Sequence, residues 1–88
     1  MTERNVDVVN SLGLHARPAA QLVRLASTFS AHVELVKDGT TVNAKSIMGV
    51  MMLAAECGST ILIRAEGSDE SAAIDALAEL IASGFGET

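Results

Sequence analysis

Along this chain, segments with the hydrophobic period of a β-strand alternate with segments that have the hydrophobic period of a helix. The order of these segments limits the folds that the chain can adopt. Alternation of apolar and polar residues predicts four β-strands, around residues 6–8, around 33–35, over 40–43 and over 60–66. Apolar residues at helical spacing predict three helices, over 16–27, over 47–53, and from the capping residues 68–70 to Gly84. The order β-α-β-β-α-β-α indicates an α+β fold with helices on one face of an antiparallel sheet. Periodicity alone leaves the order of the strands open.

The length and composition of the chain indicate a single domain, residues 1–88, with an aliphatic core. Aromatic residues make up 2% of the chain, so the core must be built from Ala, Val, Leu, Ile and Met. This scarcity also removes the stacking platforms on which single-stranded nucleic acid binds. Because the net charge of −5 opposes binding to a phosphate backbone as well, we expect no nucleic-acid partner.

The apolar segments indicate a cytoplasmic protein that does not insert into membranes. The longest of them, residues 47–55, is shorter than a helix that spans a bilayer. The first residues, Met1-Thr2-Glu3-Arg4, do not begin a signal peptide. Cys57 is the single cysteine and therefore cannot form an internal disulfide.

A histidine stands where the first helix is predicted to begin. Residues 10–13 have the composition of a turn, so His15 lies near the N-cap, beside unpaired backbone N–H groups. Such a terminus binds anions, and phosphate is the usual one. Pro18 suits the first helical turn, and Arg17 adds a guanidinium that can clamp phosphate oxygens. We therefore predict phosphoryl transfer onto His15, with Arg17 stabilising the transferred group.

The segment Gly13-Leu14-His15-Ala16-Arg17-Pro18-Ala19 resembles the active-site signature of the HPr family, the histidine phosphocarriers of the bacterial sugar phosphotransferase system. A second segment, residues 42–51 with the sequence VNAKSIMGVM, is similar to the regulatory serine region of that family. The spacing between them also matches, and the resemblance covers nearly the whole chain. It implies an open-faced β-sandwich with strand order 1-4-2-3 and three helices on one face.

The resemblance also implies a function and a set of site residues. His15 would carry the phosphoryl group on Nδ1, supported by Ala16, Arg17 and Pro18. Enzyme I, phosphorylated from phosphoenolpyruvate, would be the donor, and proteins of the enzyme IIA type would be the acceptors. Because the carrier is a substrate in each step, we do not expect a stand-alone enzyme. We expect a monomer that needs no cofactor or metal.

Ser46 precedes the predicted second helix. As an N-cap, its hydroxyl would accept a hydrogen bond from the amide of Met48 or Gly49. The resemblance implies that this serine is phosphorylated by a dedicated kinase of the HPr kinase/phosphorylase type. Phosphate at a helix N-terminus is tolerated and would add about two negative charges there.

The second helix is apolar nearly all round, which is unusual for a short surface helix. We predict that one stripe is buried in the core and that the other is an exposed docking patch for partner proteins. Two cations near the motifs, Arg24 and Lys45, would favour an acidic partner surface. Burial of both stripes is the alternative. The core stripe is Val50, Leu53 and Ala54, and the docking patch is Ile47, Met48 and Met51.

Two other functions compete with a sugar-transport carrier. One is a regulatory paralogue of the nitrogen-related branch, because the ending Ala82-Ser83-Gly84-Phe85 vaguely resembles that branch. The other is a non-catalytic sensing module of βαββαβ topology. A test of which Enzyme I and which IIA exchange phosphate with the chain would distinguish the nitrogen-branch paralogue from the sugar-transport carrier. Failure to take up phosphate from any Enzyme I would favour the sensing module.

Overall fold

The computed structural model describes residues 1–87 and contains four strands, three helices and a single 3₁₀ turn within that range. The element types and their order agree with the sequence pattern. In chain order the elements are β1 (Thr2–Asp7), α1 (Ala16–Ala26), β2 (His32–Lys37), β3 (Thr40–Asn43), α2 (Ile47–Met52), β4 (Thr60–Glu66), α3 (Glu70–Ala82) and the turn Gly84–Gly86.

The four strands form one antiparallel sheet in the order β1-β4-β2-β3, which confirms the order implied by the resemblance. The β2–β3 hairpin closes at Asp38 and Gly39, which have φ angles of 50° and 81°. Positive φ at both central residues is typical of the tight turns whose twist matches that of the flanking strands. β1 and β4 lie far apart in the sequence and pair from Thr2 opposite Ala65 to Asp7 opposite Thr60.

The two faces of the sheet have different chemistry. On the covered face, alternate residues of the two central strands are fully buried, among them Val33, Leu35, Ile61 and Ile63. On the open face, Arg64 forms ion pairs with the carboxylates of both flanking strands, at 2.9 Å to Glu3 and 3.4 Å to Glu34. This division is the open-faced arrangement that the family resemblance implies.

Helices α1 and α3 bury the stripes that their periodicity predicts. Leu22 and Ala26 of α1 are buried, as are Ile74, Leu77 and Ile81 of α3. Asp69 is the N-cap of α3, but its carboxylate accepts hydrogen bonds from the Ser30 and Ala31 amides at 2.9 and 2.8 Å. The predicted cap therefore joins the start of α3 to the turn before β2.

The predicted core stripe of α2 is wrong at one position. Val50 and Leu53 are buried, whereas Ala54 is exposed. The helix ends before Ala54, which adopts a φ of 53°, and this change of direction turns its methyl group out of the core. Ala55 is buried in its place, with 4% of its surface exposed.

Candidate functional site

His15 is the N-cap of α1, as the motif predicts. Its backbone is extended, with φ −76° and ψ −173°, and its carbonyl accepts the first helical hydrogen bond from the Ala19 amide at 2.9 Å. About a third of its side chain is exposed, at 36%. The imidazole is thus held at the protein surface by a helix that begins directly behind it.

The turn before His15 is held tightly against the segment that follows α2. The Leu14 amide donates to the Ala55 carbonyl at 2.8 Å, and the Leu14 side chain is buried. Gly13 has a φ of 64°, and a Cβ atom there would lie 2.3 Å from the Ala55 carbonyl oxygen. Glycine is therefore required at this position both for its backbone conformation and for the close approach.

The first turn of α1 offers a set of groups suited to an anion. Ala16 and Arg17 are exposed, and their amides come from the turn in which a helix has no internal acceptors. Pro18 is buried beneath them and lacks an N–H, so it costs the turn no hydrogen bond. The predicted phosphate-supporting residues therefore lie together with His15 at one helix end.

No sequence motif indicates two further residues at this site: Glu87, which contacts the imidazole, and Asn10, which contacts Glu87. Glu87 Oε1 lies 3.1 Å from His15 Nε2, and the buried Asn10 donates from Nδ2 to the same oxygen at 2.9 Å. The hydrogen bond with His15 and then that with Asn10 lower the pKa of Glu87, helped by the positive charge of Arg17. The carboxylate is therefore ionised across the neutral pH range.

Ser46 is the N-cap of α2, and its Oγ accepts a hydrogen bond from the Gly49 amide at 3.1 Å. The Gly49 amide is one of the two donors that the sequence predicts for this hydroxyl. The serine is partly exposed at the start of a short helix. The residue therefore lies near the surface, beside the first residues of α2.

The predicted docking patch is exposed, which contradicts the alternative in which both stripes of α2 are buried. The exposed fractions of Ile47, Met48 and Met51 are 46%, 72% and 41%. Met52, which was not predicted as part of the patch, is 74% exposed and extends the apolar surface. The segment after α2 contacts the turn before His15, since the Leu14 amide donates a hydrogen bond to the Ala55 carbonyl.

The two predicted docking cations have different surroundings. Arg24 is exposed in the last turn of α1. Lys45 Nζ donates a hydrogen bond to the Phe29 carbonyl at 2.8 Å, just beyond the end of the same helix. Arg24 is therefore freer to meet a partner than Lys45, whose amine is tied to the backbone.

Within residues 1–87, no group of three or more His, Cys, Asp or Glu side chains is arranged to hold a metal ion. In the same part of the chain, none of the helices combines the length and the apolar composition needed to cross a membrane.

The chain is similar to histidine phosphocarriers over its whole length. A family profile described as "PTS HPr component phosphorylation site" matches residues 2–83. The phosphocarrier protein HPr of Cupriavidus necator is 52% identical over 87 residues, which are 99% of this chain and 98% of that relative.

Solved structures of this family have the same fold. HPr-C-His from Thermoanaerobacter tengcongensis has a TM-score of 0.96 at 50% identity and covers 100% of this chain and 99% of its own. A structure described as an HPr dimer from the same organism has a TM-score of 0.79, also at 50% identity, and covers 99% of this chain and 100% of its own.

Proposed function

The chain belongs to the HPr family of phosphocarrier proteins of the phosphotransferase system, and from this premise we propose that it carries a phosphoryl group on His15. Phospho-Enzyme I, charged from phosphoenolpyruvate, is the donor in this proposal. Proteins of the enzyme IIA type that serve sugar transport are the acceptors. The exchange takes place in the cytoplasm, and the carrier is a substrate at each step.

The observation that supports this proposal most is the placement of His15 at the exposed start of α1. The imidazole, the first-turn amides and Arg17 come from consecutive residues at the N-terminal end of α1. A phosphoryl group bonded to the imidazole would meet the positive end of the helix dipole. No other histidine in the described residues has this environment, since His32 lies on β2 and pairs with Glu34.

The transfer step needs no metal ligands from this chain. The lone pair of an imidazole nitrogen attacks phosphorus and forms the N–P bond, while the bond from phosphorus to the donor breaks and its electrons return to the donor. Catalysis of such a transfer is mainly positioning and stabilisation of charge on the phosphoryl oxygens. Arg17 and the first-turn amides supply that stabilisation, and the reverse sequence delivers the group to the acceptor.

We further propose that Ser46 is a regulatory phosphorylation site for a kinase of the HPr kinase/phosphorylase type. Ser46 is partly exposed and caps the start of α2, where a phosphate is compatible with the helix. The docking patch of Ile47, Met48 and Met51 follows directly, so the added charge would lie at the surface that partners contact. In this proposal, Arg24 and Lys45 also belong to the surface that partners contact.

We propose that the chain acts as a monomer, because docking to a donor and then to an acceptor needs the patch and His15 uncovered. A measurement of mass in solution by light scattering, at concentrations from micromolar to millimolar, tests this. A stable dimer at micromolar concentration would contradict it.

Labelling with radioactive phosphoenolpyruvate and Enzyme I tests the site. His15→Ala should abolish incorporation of acid-labile phosphate while keeping the fold, since the side chain is at the surface. His32→Ala is the matched control, because it removes the other histidine, which lies on the open sheet, and it should incorporate phosphate like the wild-type protein. Appreciable label on folded His15→Ala would contradict the proposal.

A further inference from the structure

A groove lies on the surface between α1 and the last turn of α3. Its volume of about 570 Å³ is in the range of sites that bind small molecules. One wall belongs to α1, and the other belongs to the end of α3 and the turn that follows it. We call it the α1–α3 groove, and its lining includes Gln21, Arg24, Leu25, Leu80, Phe85 and Gly86.

The apolar part of the lining is held in place by the fold. Leu25 and Leu80 are half-buried, so part of each side chain is available to a ligand. Phe85 has a φ of 59° and stands between Gly84 and Gly86, whose φ angles are 72° and 75°. A left-handed conformation is unfavourable for a bulky residue, so the surrounding structure must hold this turn. The apolar wall of the groove is therefore formed before any ligand binds.

The charge of the lining is positive. Arg24 is exposed, and no carboxylate within residues 1–87 forms an ion pair with it. Neither Asp nor Glu contributes to the lining of the groove, and α1 contains no acidic residue. The guanidinium is therefore available to clamp an anionic group at the groove.

The amide of Gln21 lies one turn before Arg24 on the same side of α1. Its Oε1 is buried and accepts no hydrogen bond from the part of the chain that the structure describes. A buried polar atom without a partner costs free energy, so this position of the amide is not a favourable one. Rotation of the side chain can direct its Nε2 to the head group of a bound anion.

We propose that the α1–α3 groove binds a small organic acid: its apolar chain packs against Leu25, Leu80 and Phe85, and its carboxylate lies at Arg24 and accepts a hydrogen bond from Gln21. The net charge of −5 repels anions at long range, so selectivity for an acid must come from these local groups. The inference does not rest on the proposed function, because binding is measured without a phosphoryl donor.

Titration with octanoate, followed by ¹H–¹⁵N and methyl ¹H–¹³C spectra of the wild-type protein, tests the proposal. Octylammonium has the same chain with the opposite charge, and acetate has the charge without the chain. Octanoate should bind with a dissociation constant on the order of 1 mM, as expected for a ligand of this size. The other two should bind at least about threefold more weakly, since each lacks one of the two contacts. The shifted signals should be those of Leu25, Leu80 and Gly86.

Two arginine variants decide which cation holds the carboxylate. Arg24→Gln should weaken the binding of octanoate about threefold to fivefold, through loss of an exposed ion pair. Arg17→Gln is the matched control, because it removes the same charge from the same helix, two turns away and beside His15. It should change the affinity by less than about twofold. Both arginines are exposed, and circular dichroism checks that each variant is folded.

Leu80→Ala tests the apolar wall. It should weaken the binding of octanoate about threefold or more and leave that of acetate unchanged. Since Leu80 is half-buried, circular dichroism checks its fold, and if it unfolds, the wild-type methyl shifts report the same contact.

Three results would overturn the proposal. The first is equal affinity for octanoate and octylammonium, or no saturable binding of octanoate at about ten times the expected dissociation constant. The second is a set of shifts confined to the start of α1 or to the docking patch. The third is a larger loss of affinity in Arg17→Gln than in Arg24→Gln, which would place the acid at the helix start instead of the groove.

Discussion

At the scale of single residues, the groups around His15 act on different parts of the reaction and can be removed one at a time. Glu87 meets Nε2 of the ring, Arg17 lies in the first turn of α1, and Gly13 shapes the backbone that leads to the imidazole. Loss of Arg17 should alter transfer with the fold intact, whereas loss of Gly13 should alter the fold itself.

Arg17→Ala should slow phosphoryl transfer by a factor on the order of 10², because the guanidinium stabilises charge that develops on the phosphoryl oxygens. The stability should change by less than about 0.5 kcal/mol, since Arg17 is exposed. Rapid-quench measurement of labelled carrier gives the rates in both directions. Arg24→Ala is the control, because it removes the same charge further along α1, and it should leave the transfer rate at saturation unchanged. Equal forward and reverse rates in Arg17→Ala and wild type would exclude Arg17 from the mechanism.

Gly13→Ala should destabilise the protein by about 2 kcal/mol or more, through both backbone strain and steric overlap. The new Cβ would lie 2.3 Å from the Ala55 carbonyl oxygen at a φ of 64°. Gly39→Ala separates the two causes, since its φ is 81° but nothing lies within 4 Å of its Cβ. Urea unfolding should therefore show a smaller loss, about 1 kcal/mol, for Gly39→Ala. Equal losses in the two variants would show that the contact with Ala55 is unimportant.

The part of the site that could be predicted is the part encoded locally. His15, Arg17 and Pro18 are neighbours in the sequence, and a turn followed by a helix is enough to bring them together. Asn10 and Glu87 are 77 residues apart, and their contact depends on the packing of α3 and on the left-handed turn at Phe85. No local pattern in the sequence reports such a contact.

At the scale of elements, the hydrophobic period predicts which segments are helices and which are strands. It predicts less well the residue at which an element begins or ends. Ala54 continues the stripe of α2 in the sequence but lies beyond its last turn, in a left-handed conformation. Asp69 is of a residue type that is typical of helix N-caps, yet its carboxylate accepts hydrogen bonds from the amides of Ser30 and Ala31. In both cases tertiary contacts decide what the local pattern leaves open.

Ser46→Asp should weaken productive docking to Enzyme I without unfolding α2. Aspartate is among the best N-cap residues, so its carboxylate should accept the hydrogen bond from the Gly49 amide in place of the serine hydroxyl. The new charge would lie next to Ile47 and Met48, where a partner would have to bury it or meet it with its own acidic groups. The expected result is a raised KM for the carrier that falls towards the wild-type value as salt is added.

Ser46→Ala is the control for that experiment, because it removes the cap without adding charge. It should cost about 1 kcal/mol of stability and leave KM at the wild-type value. If Ser46→Asp and wild type have equal KM values at low salt, with both folded, Ser46 serves only as a helix cap.

At the scale of the whole molecule, side-chain contacts join the ends of the chain to distant elements. Arg4 of β1 pairs with Asp75 of α3 at 2.7 Å, and the Thr2 hydroxyl donates to Glu70. Glu87 joins the last described segment to the turn before α1 in the same way. Strand order belongs to this scale too: periodicity left it open, and only the resemblance to a known family predicted the β1-β4-β2-β3 sheet.

The contacts of Glu70 predict how stability depends on pH. Hydrogen bonds from the Thr2 hydroxyl, the Gly67 amide and the chain's amino group lower the pKa of this carboxyl from its ordinary 4.5 to about 2. A carboxyl with a lowered pKa in the folded state stabilises that state above its unfolded pKa and loses the effect as the pH falls through the folded value. The contribution of Glu70 should therefore be complete above pH 4.5 and should disappear between there and about pH 2.

Glu70→Gln should lower the free energy of unfolding at neutral pH and flatten its decline between pH 4.5 and about 2, because the amide does not titrate. Urea unfolding at a series of pH values measures both effects. Glu79→Gln removes the same charge from an exposed position of α3, so the difference between the two variants isolates the contacts with β1 and with the turn before α3. A carboxylate that three donors hold only in the folded state must make the free energy of unfolding depend on pH as it titrates. Parallel pH profiles for Glu70→Gln and wild type would therefore show that Glu70 does not couple these elements through its charge.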